Sequence, residues 1–453
     1  MIIRNFYDDK LAQASYLVGC AATGEAIVID PLRDIQQYLD MVAAQSLRIT
    51  AVTETHIHAD FLSGSRELSA ATGAKMYLSD EGDADWKYAF AGEPNVVLLK
   101  DNDVIRVGNL TLRAMHTPGH TPEHLAFILT DHPMSQTPHS MFSGDFIFAG
   151  DVGRPDLLEK AANIAGTMVK GAKVLYSSVQ KMKDLPDGLL IWPGHGAGSA
   201  CGKSLGGSPV TSLGYERTSN WAFLVADEDK FVEEVLSGQP EPPAYFKEMK
   251  RLNKSGPAVL SSLPRPIQAV RPTGRLVDVR TADAMRTASV PGALALPFGK
   301  GLTNWAGWLL NYDEPVTLVA ADQAAANQAA RDFATIGLDV VADWIKASDL
   351  GIELSPMNLV SPEEILPSDF VLDVRGINER NQAKIKGSVH IPLGELSARL
   401  DQIPTDRRIV VHCAAGGRSP ISYSILKNGG INDVLELAGG IELVKKSCPG
   451  LMA

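Results

Sequence analysis

Thr55-His56-Ile57-His58-Ala59-Asp60-Phe61 lies at the end of the stretch Arg48 to Thr53, which reads as a strand. A strand end that feeds a turn rich in His and Asp is where α/β folds place ligands. Three further segments have the same setting: His116-Thr117-Pro118-Gly119-His120-Thr121, Ser143-Gly144-Asp145 and Trp192-Pro193-Gly194-His195-Gly196. Each follows or ends a predicted strand. Singly they have ordinary explanations, because a lone His is usually a satisfied polar group and Gly-Asp is usually a turn. Four such segments in this order, all at strand ends, point instead to a metal site.

Working outward, Ala26-Ile27-Val28-Ile29-Asp30-Pro31, Val104 to Val107 and Leu110 to Leu112 read as strands. Asp34 to Gln45 has helical spacing, with Ile35, Leu39 and Val42 on one face. Strands and helices alternate, so the first domain is α/β. Seven prolines crowd between Pro240 and Pro272 around a short helical stretch, Phe246 to Leu252, and mark a linker. The whole chain, 453 residues, suits about three domains. No apolar run is long enough for a membrane helix, and the first ten residues carry no signal-peptide pattern. A net charge of −11 without a basic stripe argues against nucleic acid as a partner. Four cysteines, Cys20, Cys201, Cys413 and Cys448, are too few for a disulfide scaffold, which suits a cytoplasmic protein with reduced thiols. Cys20, in an apolar run, reads as a packed core thiol and Cys448 as incidental.

Beyond the prolines the sequence repeats. Leu276-Val277-Asp278-Val279-Arg280 returns as Val371-Leu372-Asp373-Val374-Arg375, and Pro291 to Pro297 returns as Lys386 to Pro392, both at an offset of 95. In the second copy the apolar strand Ile409 to His412 delivers Cys413 to the loop Ala414-Ala415-Gly416-Gly417-Arg418-Ser419, which a helix follows. Inward N–H groups, a helix N-terminus and Arg418 together favour a thiolate or persulfide. Asp373 and Arg375 read as fixing the fold around this loop. The first copy offers Ala321 and Asp322 after its strand Val316 to Ala320 and holds no cysteine. Its Ala-rich helical stretch, Ala324 to Ala334, reads as core packing.

The order HxHxD, HTPGHT, GD and GH resembles the metallo-β-lactamase superfamily over residues 1–230, and the C-terminal loop resembles the rhodanese domain. The fold implied is α/β: a metallo-β-lactamase αββα sandwich over 1–255 with its linker, an inactive rhodanese-like domain over 262–352 and an active one over 357–453. The superfamily's two-metal hydrolases carry a His after the Asp of HxHxD, where this chain has Phe61. That difference favours one metal, and two imidazoles with one carboxylate suit ferrous iron. The persulfide dioxygenase branch has such a site, and carried over it implies one Fe(II) per chain on His56, His120 and Asp145. His58, Asp60 and His195 would then orient the ligands and tune the metal. Gly153-Arg154-Pro155-Asp156-Leu157 resembles the branch's GRxDF segment, with Leu157 for its aromatic. Leu175-Tyr176-Ser177-Ser178-Val179 resembles its LYxSV segment and implies Tyr176 beside the metal. After His195 the branch's DY pair is replaced by a Gly-rich loop whose Cys201 could hold a persulfide near the iron.

The resemblance as a whole is to persulfide dioxygenase–sulfurtransferase fusions of sulfide detoxification. It implies a low-molecular-weight thiol persulfide and O2 as substrates, sulfite or thiosulfate as product, and Cys413 with Arg418 as the sulfur-transfer centre. Sulfite is a candidate sulfur acceptor, and a homo-oligomer, dimer or tetramer, is implied with it. Two other readings use the same residues. One is a zinc thioester hydrolase of the glyoxalase II type joined to a rhodanese sulfur carrier, against which Phe61 speaks. The other is a non-catalytic sulfur-trafficking scaffold, which needs no stoichiometric metal.

Overall fold

Alternate residues of a strand face opposite sides of its sheet, and in the first unit both sides are apolar. Tyr16, Val18 and Cys20 face one core while Leu17 faces another, and Ile27 and Ile29 divide from Ala26 and Val28 in the same way. Strands apolar on both faces must be covered on both faces. The computed structural model, which describes residues 1–160 and 166–453, shows how. The chain divides into two compact units, 1–263 with 335–337, and 264–334 with 338–453.

The first unit is a sandwich of two sheets. One orders Ile2–Asp8, Gln13–Cys20, Glu25–Ile29, Arg48–Thr53, Lys75–Ser79 and Val96–Leu99, antiparallel to its third strand and parallel beyond it. The other orders Thr211–Ser212, Leu190–Pro193, Ser140–Gly144, Leu125–Asp131, Leu110–His116 and Val104–Val107, with one parallel pair between Ser140–Gly144 and Leu190–Pro193. Tyr16, Ile29, Leu112, Phe127 and Phe142 fill the space between the sheets. Tyr38 of the helix Gln36–Ala44 and Leu68 of Ser65–Thr72 cover the outside of the first sheet. Leu175 and Val179 of Thr167–Lys181, with Phe231 and Val235 of Glu228–Leu236, cover the outside of the second. This is the αββα layering. Cys20 ends its strand within the inner core and accepts a hydrogen bond from the Asn109 N–H. The helix expected at Phe246 to Leu252 runs to Ser255.

The second unit holds two five-stranded parallel sheets of identical spatial order. The first is Ile267–Gln268, Val341–Ile345, Val316–Val319, Arg275–Asp278 and Leu294–Ala295. The second is Leu359–Val360, Val434–Leu437, Ile409–His412, Phe370–Asp373 and Val389–His390. Strand register corrects one detail of the sequence reading. Asp278 pairs with Val319 as Asp373 pairs with His412, so Ala320, not Ala321 or Asp322, occupies the place of Cys413. The helix Gln323–Ala334 starts three residues after Ala320, whereas Ser419–Asn428 starts six after Cys413. The first copy has therefore lost the loop as well as the thiol. Among the described residues no helix is long and apolar enough to cross a membrane.

Candidate metal centre and sulfur-carrier loop

The strand Glu25–Ile29 ends in Asp30, whose φ of +52° turns the chain sharply. Asp30 accepts the Thr55 N–H at 2.7 Å on Oδ1 and the Thr55 hydroxyl at 2.9 Å on Oδ2. His58 Nε2 lies 2.9 Å from Oδ1 of the same carboxylate. Burial opposes charge on His58, but Asp30, with Asp60 and Glu54, raises its pKa to about 9. Having given its proton to Asp30, the Thr55 hydroxyl can only accept from His56 Nδ1, 3.0 Å away. That contact fixes the His56 tautomer with a lone pair on Nε2. Backbone carbonyls do the same for two other imidazoles, with Arg154 O 3.0 Å from His120 Nδ1 and Ala12 O 3.0 Å from His195 Nδ1.

His120 Nε2 then faces Asp145 Oδ2 at 3.4 Å. His195 Nε2 faces Asp60 Oδ2 at 3.2 Å and Asp145 Oδ1 at 3.4 Å. Each of these is a contact between two acceptors. Both carboxylate oxygens of Asp60 and of Asp145 are buried without a hydrogen-bond partner among the described residues. Buried acceptors turned toward one another are costly unless a cation lies among them. One ligand atom each from His56, His120 and Asp145 falls within 4.8 Å of the others, and so does one each from Asp60, His195 and Cys201. Burial holds His56 and His120 below the ordinary histidine value, leaving neutral, coordinating rings. Two neutral imidazoles and one carboxylate that converge in this way fit a divalent metal ion with open positions.

The neighbourhood gives each remaining motif residue a place. Phe61 is fully buried with its ring 4.3 Å from that of His58, so an apolar ring stands where a further ligand could have been. A side chain at Gly153 would collide with the Asp145 carbonyl. Arg154, fully buried, pairs with Asp156 through both carboxylate oxygens at 2.7 Å and donates to Ala200 O at 2.9 Å. It thereby ties the His120 support to the loop carrying Cys201. Burial and the Asp145 and Asp60 carboxylates push the Cys201 thiol well up. Tyr176 is not brought into the cluster, which corrects the expectation that it sits beside the metal. Its hydroxyl donates to Ala226 O and its ring packs on Phe231, so the helix Thr167–Lys181 turns it to the outer core.

Sequence reasoning missed two residues here. Asp30 was visible only as the polar end of an apolar strand. Asn253 lay in a segment read as linker, yet it is buried and its side chain reaches three backbone groups of the HxHxD turn. It accepts the Ser63 N–H at 2.9 Å and donates to the carbonyls of His58 and Phe61, both at 2.8 Å. The available signal was one amide among the charged residues of Phe246–Ser255.

In the second unit, Cys413 Sγ accepts hydrogen bonds from Gly416 N–H at 3.1 Å, Arg418 N–H at 3.4 Å and the Ser419 hydroxyl at 3.1 Å. Burial raises this thiol's pKa, but Ser419, Arg418 and Gly416 together bring it below the ordinary value. The Arg418 side chain meets Glu379 through two hydrogen bonds of 2.6 Å, so part of its charge is engaged there. Arg375 grips Asp373 at 2.9 and 2.7 Å and reaches Ala383 O. Cys448 Sγ, far along the chain from the loop, lies 3.5 Å from Glu363.

Comparison with known proteins agrees with this two-part layout. The model of the metallo-beta-lactamase superfamily matches residues 8–195, and that of the rhodanese-like domain matches residues 360–447. The mitochondrial persulfide dioxygenase ETHE1 of Bos taurus is 30% identical over 234 residues, covering 51% of this chain and 78% of that protein. A hydroxyacylglutathione hydrolase of Polaromonas sp. is 35% identical over 185 residues, covering 40% of this chain and 61% of its own length. The crystal structure of a metallo-beta-lactamase from Staphylococcus aureus is 41% identical, with a TM-score of 0.71 over 76% of this chain and 99% of that one.

Proposed function

Since the chain belongs to the metallo-β-lactamase superfamily, as a fusion of a persulfide-dioxygenase-like domain with a rhodanese-like domain, we propose that it oxidises a low-molecular-weight thiol persulfide with O2 and moves sulfane sulfur on Cys413. The observation that carries this reading is the convergence of His56, His120 and Asp145 acceptor atoms, with the apolar ring of Phe61 packed on neighbouring His58. The chemistry a single ferrous ion would supply if held by His56, His120 and Asp145 is activation of O2 toward the persulfide sulfur. The net reaction consumes one persulfide, one O2 and one water and yields the free thiol and sulfite.

The residues of the chain have separable tasks in it. Thr55, Arg154 and Ala12 fix the imidazole tautomers of His56, His120 and His195. Asp30 and Asn253 hold the turn that carries His56, His58 and Asp60. Cys201, whose sulfur lies within 4.8 Å of ligand atoms of Asp60 and His195, would hold a sulfur near the metal. In the second unit the Cys413 thiolate attacks the outer sulfur of a persulfide or thiosulfate. The S–S bond breaks, thiol or sulfite leaves with the electron pair, and Cys413 carries the sulfur as a persulfide. Sulfite can then take that sulfur as thiosulfate and restore the thiolate. The middle segment, 262–352, is a rhodanese copy without a reagent.

Oxygen uptake by anaerobically prepared, iron-loaded protein given glutathione persulfide tests the proposal, with metal measured in the same sample. Rapid uptake with one iron per chain is expected. No uptake, with two zinc ions per chain and thioester hydrolysis, would replace this reading with the hydrolase.

A further inference from the structure

The cysteine-less copy contributes a side chain to the loop of the other. Arg286, on the short helix Ala282–Thr287, forks onto the buried carboxylate of Glu436, Nε to Oε2 at 2.9 Å and Nη2 to Oε1 at 2.7 Å. Nη2 also donates to the Gly416 carbonyl at 2.5 Å, and Nη1 lies 3.1 Å from Asp283. Glu436 is on Val434–Leu437, the strand beside the one that delivers Cys413. The Arg286 carbonyl is itself held by the Met357 N–H, so the residue is fixed at both ends. At the offset of 95 the active copy has Asn381, which offers no such fork.

Gly416 is where the loop reverses, at a φ of +92° that other residues rarely adopt, and its N–H is one of the three donors on Cys413 Sγ. A trans peptide sends its C=O and N–H in opposite directions. Fixing the Gly416 carbonyl therefore also fixes Gly417 N–H, directed away from Arg286. The arginine faces two carboxylates, Glu436 and Asp283, so its charge is more than offset locally and its influence on the sulfur runs through loop geometry.

We propose that Arg286 of the cysteine-less copy is a positioning residue for sulfur transfer at Cys413, holding the Gly416 carbonyl so that the loop keeps its N–H groups on the sulfur. The inference rests on Cys413 being the sulfur carrier. It also gives the duplicated domain a task, since the active loop is completed by a residue from its neighbour.

The test uses the full-length protein with thiosulfate as sulfur donor and cyanide as acceptor. The Cys413 thiolate takes the outer sulfur and releases sulfite; cyanide then removes that sulfur as thiocyanate and regenerates the thiolate. Arg286→Lys keeps a cation beside Glu436 but cannot form the fork and reach Gly416 together. Arg286→Met with Glu436→Gln removes both charges at once, so no buried carboxylate is left alone. Both variants should lose about ten-fold in kcat, the worth of one oriented hydrogen bond, with KM for thiosulfate within about two-fold. The pH at which Cys413 becomes reactive to a small alkylating agent should move up in both, while oxygen uptake stays at the parental level. Wild-type kcat and an unchanged pH profile in the folded variants would reduce Arg286 to a structural ion pair and overturn the proposal. If the parent protein makes no thiocyanate, or Cys413→Ser makes as much, the sulfur-carrier reading itself falls, and with it the reaction Arg286 is said to serve.

Discussion

The side-chain amide of Asn253 donates to the backbone carbonyl of His58 across 195 residues of chain, and closes the turn that carries His56, His58 and Asp60. The same amide nitrogen serves Phe61 O, and its oxygen takes Ser63 N–H. Asn253→Ala strands three buried backbone groups and should cost about 3 kcal/mol, lowering the melting temperature by roughly 5–10 °C. Asn253→Asp is the sharper variant, because it keeps the acceptor for Ser63 but turns a carboxylate toward two carbonyls. It should lose more stability and more oxygen uptake than the alanine variant, as paired melts and uptake rates will show. Equal losses would mean that the two donated hydrogen bonds contribute little.

Asp145 has the opposite signature. Among the described residues neither of its carboxylate oxygens receives a nitrogen or oxygen donor, and both face imidazole nitrogens that are acceptors. An amide in its place can donate to His120 or His195. Asp145→Asn should therefore bind iron at least ten-fold more weakly, yet melt at the same or a higher temperature than metal-free parent protein. Iron content after dialysis against a chelator, with a melt of each metal-free protein, checks both halves. A large loss of metal-free stability would show that the carboxylate has a structural partner.

Sequence alone reached His56, His120 and Asp145 as candidate ligands because each lies within a few residues of a strand end, so the motif and its place in the fold are read together. It also reached Cys413, since a strand, a glycine-containing loop and a helix are contiguous there. What it could not reach are residues whose roles depend on distant chain. Asn253 looks like any polar residue of a charged helix until the helix is packed on the HxHxD turn. Arg286 looks like a surface cation until Glu436 is found beneath it. Tyr176 misled because a segment resemblance carries no information about which face of the helix Thr167–Lys181 points inward. Ala320 was misplaced by two alignable alanines, and only strand register separates them.

His412 makes the second unit acid-sensitive before its carboxylates do. Burial lowers its pKa to about 4; Asp373 opposes that effect, while Arg375 and Arg380 add to it. An unfolded histidine titrates near 6.5, so between about pH 6.5 and 4 the unfolded chain binds the extra proton and stability falls as pH falls. The loss should amount to about 3 kcal/mol over that window. Below it, Asp373 takes over. Its carboxyl is held low chiefly by Arg375 against the opposing effect of burial, so its contribution is full above the ordinary aspartate value and disappears as pH falls through the folded one. Native-state hydrogen exchange along Ile409–His412 at pH 5 and pH 7 reads the first stage, and His412→Gln should flatten it. A slope unchanged in that variant would assign the acid sensitivity elsewhere.

Ser419 is the largest of the influences that lower the Cys413 pKa, and its hydroxyl touches the sulfur directly. A thiol whose pKa is lowered keeps its thiolate to lower pH, so alkylation of Cys413 should set in below the pH expected of free cysteine. Ser419→Ala removes one donor and leaves the Gly416 and Arg418 N–H groups in place. The profile should move up in pH, with an alkylation rate at pH 7 about five-fold lower, as one hydrogen bond of roughly 1 kcal/mol implies. Sulfur transfer to cyanide should fall in parallel, because the donor that favours the thiolate also favours the terminal sulfur of the persulfide. Mass-spectrometric rates of labelling at Cys413, with Cys20, Cys201 and Cys448 followed in the same digest, give the measurement. If the Ser419→Ala profile overlays the parent, the two backbone N–H groups hold the sulfur without help from the hydroxyl.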